Sequence, residues 1–352
     1  MIINDLDFYL VEVPTRRNGV MIRSVLVRIS THNGYEGWGE TQLKWRADEL
    51  HHRRDRLLSA ISGRSVFDME DLVRVDELRN PPLRWGIETA CWDLVGKLTS
   101  QQICHFLGGE YRHRIPLVAR LYGNTPDEIA VDSMELFNLG FHWQVIQLSG
   151  NPEQDRRFVR AVHESVGHKI ELRIDGMCRF SKEDALALAR DWEDLGFGMW
   201  VDPLMTNDMN DLMKLQSQTI MQIGVRRAIR TPSDILTIVR ENTSILPVIE
   251  PPRIGSIHET RKCAAVAEAA DLRVALANSN SVGLSAAAML QLAAALPACS
   301  GGNEGLVTRP QEGILKDRDA FGVNDGLVLL PSGPGLGVEL DRSKIDRFIV
   351  SG

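Results

Sequence analysis

The sequence predicts an α/β fold in which a barrel of parallel strands and helices follows a smaller α+β module. At 352 residues the chain exceeds one small domain, and its 43% hydrophobic residues can form a large core. After Ile115, short apolar runs alternate with amphipathic segments, the pattern of successive βα units. An open doubly wound sheet is the alternative, but it would carry a glycine-rich phosphate-binding turn after its first strand, and none follows Leu121.

The first 107 residues predict the α+β module. Strand-like runs extend from Ile2 to about Glu40, with a turn at residues 32–34 before the last of them. Helical spacing then continues from about residue 47 to residue 107, and the Gly108-Gly109 pair provides a stop. We therefore expect a small antiparallel sheet followed by helices.

The barrel units come next along the chain. Seven apolar runs are candidate strands: residues 117–121, 144–148, 171–174, 199–201, 220–223, 246–249 and 273–276. The intervening helices include residues 127–139, 152–166, 182–195, 232–241 and 259–269. Seven such units suggest a barrel whose last unit is replaced by other structure. The turn-rich tail at residues 335–341 is expected to return to the first domain.

The composition excludes several classes of partner and site. A net charge of −7 gives no basic field for nucleic acid, so we expect a small anionic molecule as the partner and no nucleic acid. No apolar run approaches the roughly 20 residues that span a bilayer, and the N-terminus lacks a signal pattern, so we expect no membrane association and a cytoplasmic location. The five scattered cysteines indicate buried thiols rather than a disulfide framework or a thiolate zinc site. We also expect a homo-oligomer.

Several short motifs, taken in order, are similar to those of one family. They are the helix at residues 86–98 closed by Phe-Leu-Gly-Gly at 106–109, Gly-Trp-Gly-Glu at 37–40, Gly-Phe at 140–141, Asn-Pro at 151–152, Asp-Pro-Leu at 202–204, Arg-Ile-Gly at 253–255 and Pro-Gly-Leu-Gly at 334–337. The chain thus resembles the mandelate racemase and muconate lactonising branch of the enolase superfamily from end to end. The resemblance implies a modified TIM barrel, (β/α)7β, with an N-terminal α+β capping domain. We expect the cap at residues 1–112, the barrel at 113–315 and a C-terminal segment at 316–352 that packs back on the cap.

The resemblance also implies a chemistry and a place for it. In that family three acidic residues hold a divalent ion, usually Mg²⁺, which stabilises an enolate formed when a base removes a proton next to a carboxylate. The second strand normally ends in Lys-x-Lys, but the matching stretch here ends in Gln147, which cannot accept a proton at neutral pH. Asp175 keeps the first metal-ligand position, whereas valine stands at the second, with Asp202 one place later. A one-residue slip on a strand reverses the side-chain direction, which argues against Asp202 as a ligand.

Basic residues stand where the fifth strand should supply an acid. Arg226 and Arg227 occupy that strand end, and a guanidinium cannot ligate a cation. We therefore predict that one of these arginines fills the metal space and pairs with nearby acids, since unpaired buried carboxylates cost roughly several kcal/mol each. The sixth strand ends at Glu250, and residues 277–280 replace a common histidine base with Ala-Asn-Ser-Asn.

Eleven residues form the predicted site. The candidate catalytic residues are Asp175, Asp202, Glu250 and Glu304. The candidate substrate-binding residues are Gln147, Arg226, Arg227, Asn278, Asn280, Lys44 and Arg46. No metal or other cofactor is expected, with Mg²⁺ as the alternative. We favour a diverged protein that binds a small carboxylate or acid-sugar-like anion without standard metal-assisted enolisation; the alternatives are an active racemase or dehydratase with a nonstandard constellation, and a non-catalytic scaffold or regulatory protein.

Overall fold

A three-stranded antiparallel sheet begins the chain. The computed structural model describes residues 1–14, 21–241, 243–278, 281–305, 313–317 and 319–350. The sheet has the order β1-β2-β3, with strands β1 (Ile3–Pro14), β2 (Met21–Thr31) and β3 (Glu36–Thr41). The predicted turn at residues 32–34 joins β2 to β3.

The α-helices of this module are α1 (Ala47–Ile61), α2 (Met69–Leu72), α3 (Pro81–Thr99) and α4 (Ile103–Phe106). Of these, α1 and α3 contact the sheet. Helix α3 begins where the Asn80 side chain accepts a hydrogen bond from the backbone of Leu83, and it ends at Ser100 in the left-handed conformation. Strand β3 packs directly on α3 because it carries glycine at the contact points.

Eight short parallel strands follow and close into a barrel. They are β4 (Arg114–Arg120), β5 (Trp143–Gln147), β6 (Glu171–Asp175), β7 (Met199–Val201), β8 (Gln222–Val225), β9 (Leu246–Ile249), β10 (Ala275–Leu276) and β11 (Asn303–Glu304). Neighbouring strands pair in chain order from β4 to β10, and β11 pairs with β4. A bridge between Ala277 and Glu304 joins the ends of β10 and β11, so the ring is complete. The predicted modified TIM barrel with an antiparallel cap is confirmed.

Several of the barrel helices start at side chains that cap them. The helices are α5 (Pro126–Asn138), α6 (Pro152–Val166), α7 (Lys182–Glu193), α8 (Met209–Gln216), α9 (Pro232–Arg240), α10 (Pro251–Ile254), α11 (Ile257–Glu268) and α12 (Leu284–Ala295). Thr125, Asn151 and Ser181, for example, each accept hydrogen bonds from the first turn that follows. One predicted strand start is wrong: Ile220 is 82% exposed, and β8 begins only at Gln222. An apolar run alone does not show which of its residues enter the sheet.

Two late elements connect the barrel to the cap. All twelve residues of α12 are buried, because this helix contacts β3, α3 and α4 of the cap as well as β4 of the barrel. After the short strands β12 (Val323–Asn324) and β13 (Leu327–Leu329), which extend the sheet beside β4, helix α13 (Arg342–Phe348) lies on β1. The backbone N–H of Val350 donates to the carbonyl of Leu10 at 2.8 Å. Within the described ranges, no helix has both the length and the apolar character needed to cross a membrane.

Candidate functional site

The register of the barrel strands brings the predicted positions to one edge. Gln147 pairs with Asp175, Asp175 with Val201, and Val201 with Gly224, so the carboxyl ends of β5 to β8 lie level. Asp175 is fully buried there. At the same level, Val201 belongs to a small apolar cluster with Val248 of β9 and Ala275 of β10, two strands that do not pair with β7. An aliphatic side chain therefore lies beside Asp175 at the end of β7.

Arg226 makes the ion pairs predicted for this strand end. Its Nη2 lies 2.8 Å from Oδ2 of Asp175, its Nε 3.4 Å from Oδ2 of Asp202, and its Nη1 3.7 Å from Oε2 of Glu304. The side chain is 9% exposed. Burial by itself lowers the pKa of Arg226, but the neighbouring carboxylates, chiefly Asp175 and then Glu304 and Asp202, more than reverse this and raise it above its usual value. The guanidinium is therefore a permanent positive charge at the centre of the barrel face.

Asp202 reaches this cluster through an unusual backbone conformation. It follows β7 with φ +46°, in the left-handed region that non-glycine residues seldom adopt. Its Oδ1 accepts hydrogen bonds from the backbone N–H groups of Arg226 at 2.9 Å and Arg227 at 3.1 Å. Burial raises the pKa of Asp202, while Arg226 lowers it, and the net direction is upward. The carboxylate thus holds the loop that carries both arginines.

Two further arginines at this face were not predicted. Nη2 of Arg120, at the end of β4, lies 2.8 Å from Oε1 of Glu304. Arg173, on β6, is buried, and its Nη1 donates to the carbonyl of Gly302 at 2.8 Å across the barrel interior. Burial lowers the pKa of Arg173, and the charges of Glu304 and Glu171 counteract this only in part. Strand alternation could have identified Arg173, because it lies two residues before Asp175 on the same face.

The residues present do not fit a divalent metal ion. Three carboxylates meet at Arg226, but a guanidinium nitrogen contacts or faces each of them, and guanidinium groups have no lone pair to offer a cation. In the part of the chain that the structure describes, no three His, Cys, Asp or Glu side chains are placed to hold a metal together. Hard cations such as Mg²⁺ need several oxygen ligands in one shell.

Gln147 and Arg227 lie beside the cluster, on its outer side. Nε2 of Gln147 is 3.5 Å from Oδ2 of Asp175 and 3.3 Å from Sδ of Met177. The Arg227 side chain is 32% exposed, and its Nη2 lies 3.9 Å from the same sulfur. Both residues therefore present polar hydrogens near the surface of the barrel face.

Glu250 and Asn278 also reach this region. Glu250 is buried before α10, its Oε2 lies 3.0 Å from Nε of Arg253, and its charge contributes to the raised pKa of Arg226. Asn278 donates its backbone N–H to the carbonyl of Glu304 at 2.9 Å. Its Oδ1 accepts from Oγ of Ser285 at 3.2 Å, while its buried Nδ2 meets no acceptor among the described residues. Asn280 lies outside the described residues.

Lys44 and Arg46 belong to the cap segment after β3. Both are exposed. Nε of Arg46 pairs with Oδ1 of Asp48 at 3.1 Å, on the same exposed segment. The contacts described for this segment include none to the Arg226 cluster, so the binding roles of Lys44 and Arg46 stay predictions.

Comparisons with known proteins agree with this architecture. The model of the family described as enolase C-terminal domain-like matches residues 129–344. The N-succinyl-L-Arg/Lys racemase of Bacillus cereus is 21% identical over 99% of this chain and 98% of its own length. The hydrophobic dipeptide epimerase of Enterococcus faecalis is 26% identical over 77% of this chain and 79% of its own length.

Solved structures show the same fold over nearly the whole chain. The crystal structure of 2-chloromuconate cycloisomerase from Rhodococcus opacus superimposes with a TM-score of 0.91 at 22% identity, covering 99% of both chains. That of the Bacillus cereus N-succinyl Arg/Lys racemase gives 0.90 at 19% identity, covering 100% of this chain and 99% of the other. Since the family model covers more than half of the chain and the cap and closed barrel agree with these structures, the chain belongs to the enolase superfamily, in its mandelate racemase and muconate lactonising branch.

Proposed function

We propose that this protein binds a small carboxylate, or an acid-sugar-like anion, at the carboxyl-terminal face of its barrel without the aid of a divalent ion. The observation that carries the proposal is the buried guanidinium of Arg226, which contacts Asp175 and faces Asp202 and Glu304. A fixed positive charge balances these acids, a task that the family gives to a metal ion. Each of the three buried carboxylates thereby has a positively charged partner, which offsets the cost of its burial.

The donors around the cluster favour an anion as the ligand. Gln147 and Arg227 both present N–H groups to this region, and a carboxylate accepts such bonds well. Three relatives are named for N-succinyl-L-Arg/Lys, for hydrophobic dipeptides and for L-Ala-D/L-Glu. Molecules of these classes carry at least one carboxylate, so they are the first ligands to test.

Thermal melting in the presence of ligands tests the proposal. The four probes are N-succinyl-L-lysine, L-alanyl-L-glutamate, arabinonate and cis,cis-muconate, each compared with its neutral amide. A ligand bound by the folded state raises the melting temperature by mass action. We expect at least one carboxylate to do so equally in MgCl₂ and in EDTA. A shift that requires Mg²⁺, or no shift with any probe, would contradict the proposal.

A charge reversal tests the role of Arg226 separately. Arg226→Asp replaces the guanidinium by a fourth carboxylate beside Asp175, Asp202 and Glu304, which produces the oxygen-rich shell that Mg²⁺ needs. We expect Mg²⁺ to raise the melting temperature of this variant but not that of the wild type. Arg227→Asp is the matched control, because it makes the same charge change at the next residue and should remain insensitive to Mg²⁺.

A second candidate function is proton transfer without a metal. It is favoured by Glu304, a nearly buried carboxylate that Arg120 and Arg226 hold at the barrel face. A positioned carboxylate can act as a general base on the carbon next to a ligand carboxylate. Exchange of that carbon's proton in D₂O, followed by NMR with wild type and Glu304→Gln, separates such an enzyme from a binding protein. Exchange by the wild type alone would favour catalysis.

A further inference from the structure

Two hydrogen-bond donors at the barrel face converge on one sulfur atom. Nε2 of Gln147 lies 3.3 Å from Sδ of Met177, and Nη2 of Arg227 lies 3.9 Å from the same atom. The remaining contacts of these groups are long. Nε2 of Gln147 is 3.5 Å from Oδ2 of Asp175, and Nε of Arg227 is 3.9 Å from Oδ2 of Asp202.

The acceptor at this point is much weaker than the donors. A thioether sulfur accepts hydrogen bonds poorly, whereas an amide and a guanidinium are strong donors. Nε of Arg227 is moreover buried, and no described residue accepts a hydrogen bond from it. Buried donors are nearly always satisfied in folded proteins. Here the nearest described carboxylate oxygen, Oδ2 of Asp202 at 3.9 Å, also has no hydrogen-bond partner in the described part of the chain, so the Arg227 guanidinium keeps unused donor capacity beside the sulfur.

The backbone that carries the sulfur is strained. Met177 and Cys178 have φ values of +54° and +56°, both in the left-handed region. The turn is held by its neighbours, since Oδ1 of Asp175 accepts the N–H of Met177 at 3.0 Å and the carbonyl of Asp202 accepts that of Cys178 at 2.8 Å. Strained residues of this kind cluster at ligand clamps and switches. Methionine also has three rotatable side-chain bonds, which let it leave one position for another without a backbone change.

We propose that Met177 is a displaceable plug in the carboxylate site, and that the carboxylate of the ligand takes the place of its sulfur between Gln147 and Arg227. This inference rests on the proposed function. It adds the position of the carboxylate subsite, between Gln147 and Arg227, and the residue that occupies it in the free protein. A carboxylate suits this subsite because its two oxygens accept one bond from the amide and one charge-assisted bond from the guanidinium. A neutral amide has one carbonyl oxygen and no negative charge, so it would form only part of these hydrogen bonds.

The plug makes the free site partly unavailable, which weakens binding. A ligand must displace the methionine first, so its apparent association constant is the intrinsic constant multiplied by the fraction of molecules in which the plug is out. Met177→Ala removes the plug, and we expect it to bind the carboxylate probe about five-fold more tightly than the wild type. Met177→Leu keeps the side-chain volume but offers no sulfur, so we expect affinity at or slightly above that of the wild type. Met205→Ala is the matched control, since Met205 is 65% exposed on the next loop, and its affinity should equal that of the wild type.

The experiment combines calorimetry with NMR on the full chain. Titration calorimetry gives the Kd of N-succinyl-L-lysine, L-alanyl-L-glutamate, arabinonate and cis,cis-muconate for the four proteins. Wild type labelled with methyl-¹³C methionine shows up to eleven methyl signals. The signal absent from Met177→Leu is that of Met177. We expect this signal to move on saturation with a carboxylate probe and to stay in place with the matching amide.

The outcomes separate the plug from the proposed function. If a carboxylate binds wild type and Met177→Ala with equal Kd and the Met177 signal does not move, the plug is rejected while carboxylate binding stands. If none of the proteins binds any probe, both proposals are rejected. If Met177→Ala does not fold, judged by its melting curve, the Met177 signal of the wild type decides. A signal that does not move on saturation with a carboxylate probe then rejects the plug.

Discussion

Arg226 is the residue that distinguishes this barrel face from a magnesium site. The resemblance identified it from sequence, because the position belongs to an acidic ligand in the family and a guanidinium cannot replace one. The structure adds that three carboxylates, from the ends of β6, β7 and β11, all lie within 3.7 Å of its nitrogens. Removing the charge therefore leaves three buried acids without their common partner.

The first prediction concerns the stability of Arg226→Met. Methionine fills much of the space but removes the ion-pair partner of Asp175 and leaves Glu304 with Arg120 alone, so we expect a loss of about 3–5 kcal/mol in the free energy of unfolding at pH 7. Urea unfolding followed by circular dichroism measures this loss.

The neighbouring arginine supplies the control for this prediction. Arg227 is one-third exposed and lies 3.9 Å from its nearest described carboxylate. We expect Arg227→Met to lose about 1 kcal/mol or less, as is usual for such loose ion pairs. Equal losses for the two variants would show that Arg226 is not the group that balances the buried acids.

At the scale of elements, the contact between β3 and α3 depends on glycine. A Cβ atom at Gly39 would lie 2.0 Å from the carbonyl oxygen of Gly86, and one at Gly37 would lie 2.0 Å from that of Ala90. The sequence motif Gly-Trp-Gly-Glu thus has a packing reason at both glycines. Its last residue, Glu40, is buried and accepts hydrogen bonds from the backbone of Val282, Gly283 and Ser285 at the start of α12. This carboxylate caps a barrel helix from the cap domain.

The second prediction follows from this close approach. Gly39→Ala must push β3 away from α3, and we expect a loss of about 3 kcal/mol in the free energy of unfolding. Gly34→Ala provides the comparison, because Gly34 has φ +78° but no atom within 4 Å of a built Cβ. It should lose only about 1 kcal/mol through backbone strain. Urea unfolding of both variants measures the difference, and equal losses would refute the packing argument.

At the scale of the whole molecule, a buried acid joins the cap to the barrel. Oε1 of Glu88, on α3, accepts from the backbone N–H of His258 on α11 and from Nε1 of Trp92, both at 3.1 Å. Its Oε2 is buried and meets no donor in the described ranges. Burial raises the pKa of Glu88 above its ordinary value of 4.5, and the hydrogen bonds to Ser256, His258 and Trp92 lower it only in part. The folded protein therefore favours the protonated form of this side chain more than the unfolded chain does.

The third prediction is the pH dependence that this raised pKa produces. A carboxyl group whose pKa is higher in the folded state contributes its stability below pH 4.5 and loses it as the pH rises through the folded value. Glu88→Gln keeps the acceptor for His258 and Trp92 but cannot ionise. We expect the variant to gain stability relative to the wild type as the pH increases from 4 to 8, measured by melting temperature.

The pKa of Glu70 is shifted in the opposite direction to that of Glu88, so Glu70 serves as the control. Slight burial raises the pKa of Glu70, but the charges of His258, Lys262 and Arg74 lower it by more than burial raises it. The net direction is downward. Glu70→Gln should therefore lose stability relative to the wild type above pH 4.5 and match it at lower pH. If the stability of Glu70→Gln and of Glu88→Gln, each relative to the wild type, changed in the same direction with pH, the raised pKa assigned to Glu88 would be contradicted.

The sequence by itself determined the order of the elements and the chemistry of single strand ends. Apolar periodicity predicted the barrel units because burial imposes it locally, and the family resemblance assigned Asp175 and Arg226 to the ends of β6 and β8. Only the tertiary structure decided which side chains meet. Contacts such as Arg120 with Glu304, or Gln147 and Arg227 with Met177, join strands and loops far apart in the chain. They depend on closure of the barrel and on the left-handed turns at Met177 and Asp202, whose conformation is imposed by neighbouring elements rather than by local residue preference.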